Sequence, residues 1–485
     1  MDILLIDPPY ISLKGVASDR GYNVGLTGLA AYLDRAGIST GVLYGDLLEP
    51  PASGSILFNF DVNRYAEGQR EYERTLEDRT HPIWYKIADA VRQANPTAVG
   101  LAHLTPSKYV VEKTAALIKE IDPRIRIIAG SFHPTFCPDE VLRNDNIDFI
   151  VRGEGEIPLL RLMEELKKPG PDWETVPGIS YRDADGQVHN NPAPPLIEDL
   201  DELPFPARDL VLNRDYDKYR AHCIATTRGC PYSCAFCADR RLWGNRVRRR
   251  SVANVLAELR LLRDRYPVNF VDIFDGTFTY DRKYLQQFCE AIIDEKLDIN
   301  WRCTARYDNL DPDILKLMRR AHCTGMFVGL ESGSNRILDG IDKKFHVDKI
   351  LQVSKMIRKS GIPCATSILL GLPDEGREDI AETLELMKTV KTDILDVNVY
   401  TPLPGTPLYD AMSEEDRQKI DWHKVALKSF DNYFSRKMSA EEFGGYRQEA
   451  YRIANSVRKK TVLRWGVRAV FRPFARLFRK LAPGR

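Results

Sequence analysis

Three cysteines within a few residues of one another decide more about this chain than any other feature. Cys230, Cys234 and Cys237 stand in C-x3-C-x2-C spacing on the segment Arg228-Gly229-Cys230-Pro231-Tyr232-Ser233-Cys234-Ala235-Phe236-Cys237, which directly follows an apolar, strand-like run. Three thiolates so spaced can wrap three corners of an iron–sulfur cube and leave the fourth iron open to another molecule. A zinc knuckle is the alternative, but it needs a fourth Cys or His close by, and only His222 and Cys223, in or before the strand, are at hand. The remaining cysteines, Cys137, Cys223, Cys289, Cys303, Cys323 and Cys364, form no second Cys-x-x-Cys group, so they read as buried thiols rather than as a second cluster. Irregular spacing of this kind points to a reducing compartment. The first residues carry no basic segment ahead of their short apolar stretch and read as a β-strand, not an export signal. A cytoplasmic location is expected.

At 485 residues the chain should divide into roughly three units at about 150 residues each. Apolar residues at 43% and charged residues at 29% are enough to bury cores and still dissolve. Lys and Arg number 70 and Asp and Glu 69, a net charge of +1, which speaks against a generally basic nucleic-acid binder and against an acidic disordered chain. No run of about 20 apolar residues is present, so no membrane span is expected. The balance conceals an asymmetry. From Arg458 onward there are ten basic residues and no acidic one, with Arg464, Arg468, Arg472, Arg476 and Lys480 recurring every fourth position between Trp465, Val470, Phe471, Phe474, Leu477, Phe478 and Leu481. Two readings stand: a basic amphipathic helix lying on an anionic membrane surface, or a helix docked by its aromatics on the protein's own body. Pro473 should kink it in either case.

Along the chain, residues 1–165 alternate apolar strands (Ile3 to Asp7, then runs ending near Asp46, Thr105, Gly130 and Gly153) with helices, one of them through Leu26, Leu29, Ala30 and Leu33 and closed by Gly37. This is the pattern of a doubly wound parallel sheet, whose ligands sit at the carboxyl ends of its strands. Those ends carry Asp7-Pro8-Pro9, Gly45-Asp46, Thr105-Pro106-Ser107 and Gly130-Ser131-Phe132-His133-Pro134. Residues 166–218 form a connector with a hairpin about Asp185-Gly186 and a proline-rich strap. Residues 219–410 alternate again through six strand-like runs, which suits a partial (β/α)6 barrel. Residues 411–485 read as helical. The fold class is α/β.

The cysteine loop, with Tyr232 and Phe236 among its thiols, resembles the signature of radical S-adenosylmethionine enzymes. Asp275-Gly276-Thr277, at the end of the second barrel strand, resembles the segment that meets the methionine amino group in that family. Glu331-Ser332-Gly333-Ser334 resembles its fourth-strand cofactor motif, and Ser367 through Glu375, centred on Gly371, its fifth-strand adenine motif, with Ser367 where glycine is usual. Gly130-Ser131-Phe132-His133-Pro134-Thr135 and Gly153-Glu154-Gly155-Glu156, followed by the strap, resemble the cobalamin-binding domain of the B12-dependent subclass. The D-x-H-x-x-G motif that supplies an axial histidine elsewhere is missing, since Gly45-Asp46-Leu47-Leu48-Glu49-Pro50 offers no His.

The resemblance implies a [4Fe–4S] cluster on Cys230, Cys234 and Cys237. It implies S-adenosylmethionine contacts at Asp275, Gly276, Thr277, Glu331, Ser332 and Gly371, and cobalamin contacts at Pro8, Thr105, Ser107, Gly130, His133, Gly153 and Glu154. It further implies methylation of an unactivated carbon of a small or lipophilic substrate, through methylcobalamin and a 5′-deoxyadenosyl radical. The alternative within the family is a radical oxidation, cyclisation or ring rearrangement without methyl transfer, and outside it an iron–sulfur electron carrier. The expected partners are a small-molecule substrate and an external electron donor of flavodoxin or ferredoxin type, with peripheral contact at the inner membrane face if the tail binds lipid, and no nucleic acid.

Overall fold

The computed structural model describes residues 1–10, 13, 24–48, 62–214, 222–266, 268–425 and 433–481, with the side chains of 62–66, 222, 424 and 466–481 outside the description. Five parallel strands, β1 (Ile3–Asp7), β2 (Thr40–Tyr44), β3 (Ala98–Ala102), β4 (Arg126–Gly130) and β5 (Phe149–Val151), form an N-terminal sheet in the order β2-β1-β3-β4-β5. Their side chains are apolar on both faces because both faces are covered. Leu4 and Ile6 enter one core with Trp84, Val111 and Ile118, while Ile3 and Leu5 enter another with Ala30, Leu33 and Leu162. The helix Val24–Arg35 ends before Gly37, whose φ of +79° is the left-handed turn glycine allows. The hairpin about Gly186 packs at the edge of this sheet. Its strands β6 (Ile179–Arg182) and β7 (Val188–Asn190) continue the same sheet antiparallel to β5.

The second half builds six parallel strands, β8 (His222–Ile224), β11 (Phe270–Ile273), β12 (Asn300–Ala305), β13 (Cys323–Glu331), β14 (Cys364–Leu370) and β15 (Ile394–Val399), each paired with its sequence neighbour. Among the described residues β8 and β15 do not pair, so the barrel is open on one side. Val271, Trp301, Cys303, Val328, Leu395 and Val397 face the outer helices in one large core. The alternate positions, among them Asp272, Thr304, Phe327 and Ser367, are only partly covered and line the lumen. Between β8 and β11, β9 (Thr227–Arg228) and β10 (Arg248–Arg249) form a short antiparallel ribbon.

The strap of residues 192–214 ties the halves together. Val211 bridges Val42 at the sheet edge and Leu212 donates to the Val42 carbonyl. Arg208, 2% exposed, donates to the Cys223 carbonyl at 2.9 Å and to Glu258 at 3.0 Å. Glu258 has no exposure and also accepts from Arg250 at 2.6 Å. The helix Ala440–Leu481 closes the chain. Phe443, Ala450, Tyr451 and Ala454 join the barrel core, and Arg464 pairs with Asp393. Up to this point the helix therefore docks on the protein's own body, and helical backbone continues past Pro473 to Leu481. Among the described residues no helix is long and apolar enough to cross a membrane.

Candidate active site

The ribbon of β9 and β10 is the base of the cysteine loop: Arg228 pairs with Arg248 and Thr227 with Arg249, so everything from Gly229 to Val247 is one closed excursion. Gly229 has φ +97°, and a Cβ there would lie 2.3 Å from the Arg246 carbonyl; only glycine lets the loop start against its own return. Ala235 then donates to the Ile341 carbonyl and accepts from Leu408 N, while Phe236 packs beside Ile337, Leu372 and Tyr400. The loop is thus stitched to the carboxyl ends of several barrel strands. All three thiols are free and half-buried. Burial pushes the Cys230 thiol upward and that of Cys237 to about 12, so both must lose a proton when they bind metal. Among the described residues no trio of His, Cys, Asp or Glu is placed to share a single metal ion.

The barrel residues expected at this site fall into two groups. Gly276 is exposed and lies against the loop: a Cβ on it would sit 3.1 Å from Asp239 Oδ2 and 3.7 Å from Cys230 Cβ. The neighbouring Thr277 is half-exposed. Glu331, at φ +70°, accepts from Lys343 Nζ at 2.8 Å, and that ammonium lies 5.7 Å from the Phe236 ring. Arg306 Nη1 reaches Cys234 Sγ at 3.7 Å. Asp275 lies buried, and its carboxylate accepts from Thr226 N at 2.7 Å, Thr227 N at 3.2 Å and the Thr226 hydroxyl, pinning β11 to the entry of the cysteine loop. Ser332 has no exposure and bonds Thr383 Oγ1 and Ser334 N.

Gly371, at φ +81°, donates its N–H to Glu375 Oε2 at 2.6 Å, and a Cβ on it would meet Phe443 at 2.8 Å. Burial pushes Glu375 up to about 8. The folded chain therefore keeps this proton between its ordinary 4.5 and about 8 while the unfolded chain releases it, so stability falls as pH rises through that window. Glu375→Gln keeps the acceptor for Gly371 without the charge. It should flatten this slope in pH-dependent denaturant titrations and add about 2 kcal/mol of stability at the upper end.

At the ligand end of the N-terminal sheet, Gly130, Ser131, Phe132 and Gly153 are half-exposed and Leu104 is 46% exposed. Ser131 has φ +90°, a strained position for a residue with a Cβ and common beside ligands. Pro8, Thr105 and Ser107 lie buried just behind them. Two of the expected contacts, His133 and Glu154, have partners within the protein. His133 has no exposure; its Nδ1 bonds Thr105 Oγ1 at 3.1 Å and its Nε2 faces Glu140 at 3.5 Å, with His103 and Trp422 against its ring. It holds the turn after β4. The Glu154 carboxylate accepts from Ile197 N at 2.9 Å and pairs with Arg248 at 2.7 Å and Arg228 at 3.3 Å. Arg228 also bonds Glu156. These acids at the end of β5 join the sheet to the base of the cysteine loop. The residues whose roles sequence reasoning missed are therefore Arg228 and Glu156, quoted there only as members of their motifs, and Arg248, Lys343 and Arg306, which carry no local motif.

The radical SAM superfamily profile matches residues 224–387 and the B12 binding domain profile residues 12–163. An uncharacterized methyltransferase of Pyrococcus horikoshii is 32% identical over 345 residues, 70% of this chain and 74% of that protein. An anaerobic magnesium-protoporphyrin IX monomethyl ester cyclase of Rubrivivax gelatinosus is 29% identical over 72% of this chain, which spans only 62% of the cyclase's length. In fold, a radical S-adenosylmethionine methyltransferase from Kitasatospora setae, solved with cobalamin and a [4Fe–4S] cluster, superimposes with TM-score 0.68 over 93% of this chain and 89% of its own at 16% identity. The half-buried thiols on one loop, the open glycine beside them and the uncovered strand ends opposite fit a [4Fe–4S] cluster, S-adenosylmethionine and cobalamin as the cofactors. The chain belongs to the cobalamin-dependent radical S-adenosylmethionine enzymes.

Proposed function

We propose that this enzyme methylates an unactivated carbon of a small-molecule substrate. The observation that carries the reading is the bond between its halves: Glu154 and Glu156 at the ligand end of the sheet grip Arg228 and Arg248 at the base of the cysteine loop. On this reading the two cofactor sites would share one ionic joint. When bound, the cluster with S-adenosylmethionine supplies a carbon-centred radical, and cobalamin supplies a methyl carrier. Cys230, Cys234 and Cys237 would hold the cluster, Gly276 and Thr277 the near side of S-adenosylmethionine, and Glu331 and Gly371 its far side. Pro8, Thr105, Ser107, Gly130 and Gly153 would shape the cobalamin seat. The division of the chain at about residues 165, 218 and 410 is part of the same proposal.

The test is a product assay on anaerobically reconstituted, cobalamin-loaded protein given S-adenosylmethionine and a strong reductant. Methyl transfer yields S-adenosylhomocysteine and 5′-deoxyadenosine together. The cyclase relative favours the second reading, radical oxidation or cyclisation, which yields 5′-deoxyadenosine without S-adenosylhomocysteine and would displace the first.

In the cell the electron would come from a flavodoxin or ferredoxin. The basic tail past Trp465 is proposed to lie on an anionic membrane face, which suits a lipophilic substrate. Wild-type protein should sediment with vesicles of phosphatidylglycerol and phosphatidylcholine, and protein lacking residues 466–485 should stay in solution. Equal sedimentation of the two would remove the membrane contact from the proposal.

A further inference from the structure

One guanidinium at the site has no part in the reading above. Arg306 follows β12 directly and is 4% exposed. Its Nε and Nη2 donate to the two carboxylate oxygens of Asp308 at 3.0 and 3.1 Å, and Nη2 also donates to the Lys343 carbonyl at 2.5 Å. Its Cζ lies 3.6 Å from the centroid of the Tyr232 ring. Contacts from separate segments thus fix the plane of the group, and its remaining nitrogen, Nη1, is aimed at Cys234 Sγ at 3.7 Å. The charge partner Asp308 sits on the opposite edge and leaves the sulfur-facing edge unshielded. A cationic N–H donor held in this way has a physical consequence for an iron–sulfur cluster. Each electron added to the cluster increases the negative charge shared by its sulfurs, and a hydrogen bond from a buried cation stabilises that charge.

We propose that Arg306 donates a hydrogen bond to the Cys234 sulfur of the cluster and raises the potential at which the cluster accepts its electron. The guanidinium keeps its proton throughout; the one electron comes from the external reductant and stays on the cluster. This inference rests on Cys234 being a cluster ligand and is independent of whether methyl is transferred.

The experiment uses full-length protein labelled with ¹⁵N-arginine, reconstituted with iron and sulfide, reduced with dithionite and kept free of S-adenosylmethionine. Pulsed electron paramagnetic resonance should show a ¹⁵N coupling to the reduced cluster, which disappears in Arg306→Lys. Potentiometric titration should place the Arg306→Gln cluster at a more negative midpoint than wild type, with Arg306→Lys between them. A wild-type cluster without the ¹⁵N coupling overturns the inference, as does an Arg306→Gln protein of full iron content that titrates at the wild-type midpoint. Should Arg306→Gln fail to hold iron, the wild-type coupling alone decides. Wild-type protein that takes up no iron would instead remove the ligand reading itself.

Discussion

Cys234→Ala is expected to purify as a folded protein that takes up little iron and releases no detectable 5′-deoxyadenosine, a loss of at least about 10³-fold in turnover. The fold should survive because the loop is framed by other bonds. The β9–β10 ribbon closes its base, Gly229 makes its first turn, and Ala235 is hydrogen-bonded on both sides to the barrel. Cys234 itself is only half-buried, so losing its sulfur leaves no large cavity. Cys289→Ala is the control: that thiol is buried in the barrel core with no exposure, and its removal should cost about 1 kcal/mol of stability while iron content and product formation stay at wild-type levels. Equal iron content in Cys234→Ala and wild type would refute the ligand assignment.

The largest effect on stability should come from Glu258→Ala. The carboxylate has no exposure and is the common partner of Arg208, from the strap, and Arg250, from the barrel. Removing it leaves two cations in a site that excludes water, and breaking a buried pair from one side costs about 3–5 kcal/mol. Urea denaturation followed by tryptophan fluorescence and by circular dichroism should report a midpoint shift of that size. Glu258→Gln, which keeps the hydrogen bonds but not the charge, should fall between. A stability within about 0.5 kcal/mol of wild type in the alanine variant would mean that the strap is held by its backbone bonds instead, Leu212 to Val42 and Ala207 N–H to the Thr27 carbonyl at 3.0 Å.

The parallel strands were legible because a strand buried on both faces is a short apolar run between turns, and Ile3–Asp7 coincides with its expected limits. The barrel strands were legible despite their polar lumen positions, such as Asp272 and Thr304, because each ends in a glycine-, proline- or acid-marked turn. The cysteine loop was the clearest signal, since its spacing is local. Partners far apart in the chain were not legible. Glu154 and Arg248 touch across 94 positions, and nothing in Gly153-Glu154-Gly155-Glu156 distinguishes an acid that faces a ligand from one that faces arginines. The enclosure of His133 was not legible for a related reason. A histidine in a strand-end turn looks the same in sequence whether its ring points outward or, as here, is enclosed by Thr105, His103, Glu140 and Trp422. The hairpin about Gly186 was seen as a hairpin, but its place at the sheet edge depends on β5, a long-range partner.

The acid–arginine joint also bears on how such a protein can be recombined. Arg228 and Arg248 lie in the ribbon that carries the cysteine loop, and their counter-charges Glu154 and Glu156 lie in the other half of the chain. The two halves are consequently not interchangeable modules. A chimera that takes its first five strands from another source must bring an acidic pair at the end of the fifth strand, or it inherits two stranded arginines beneath the cysteine loop. The smallest transplantable unit is therefore the half together with its side of the joint, and the crossover point belongs in the strap, beyond Asn191 and before Arg208.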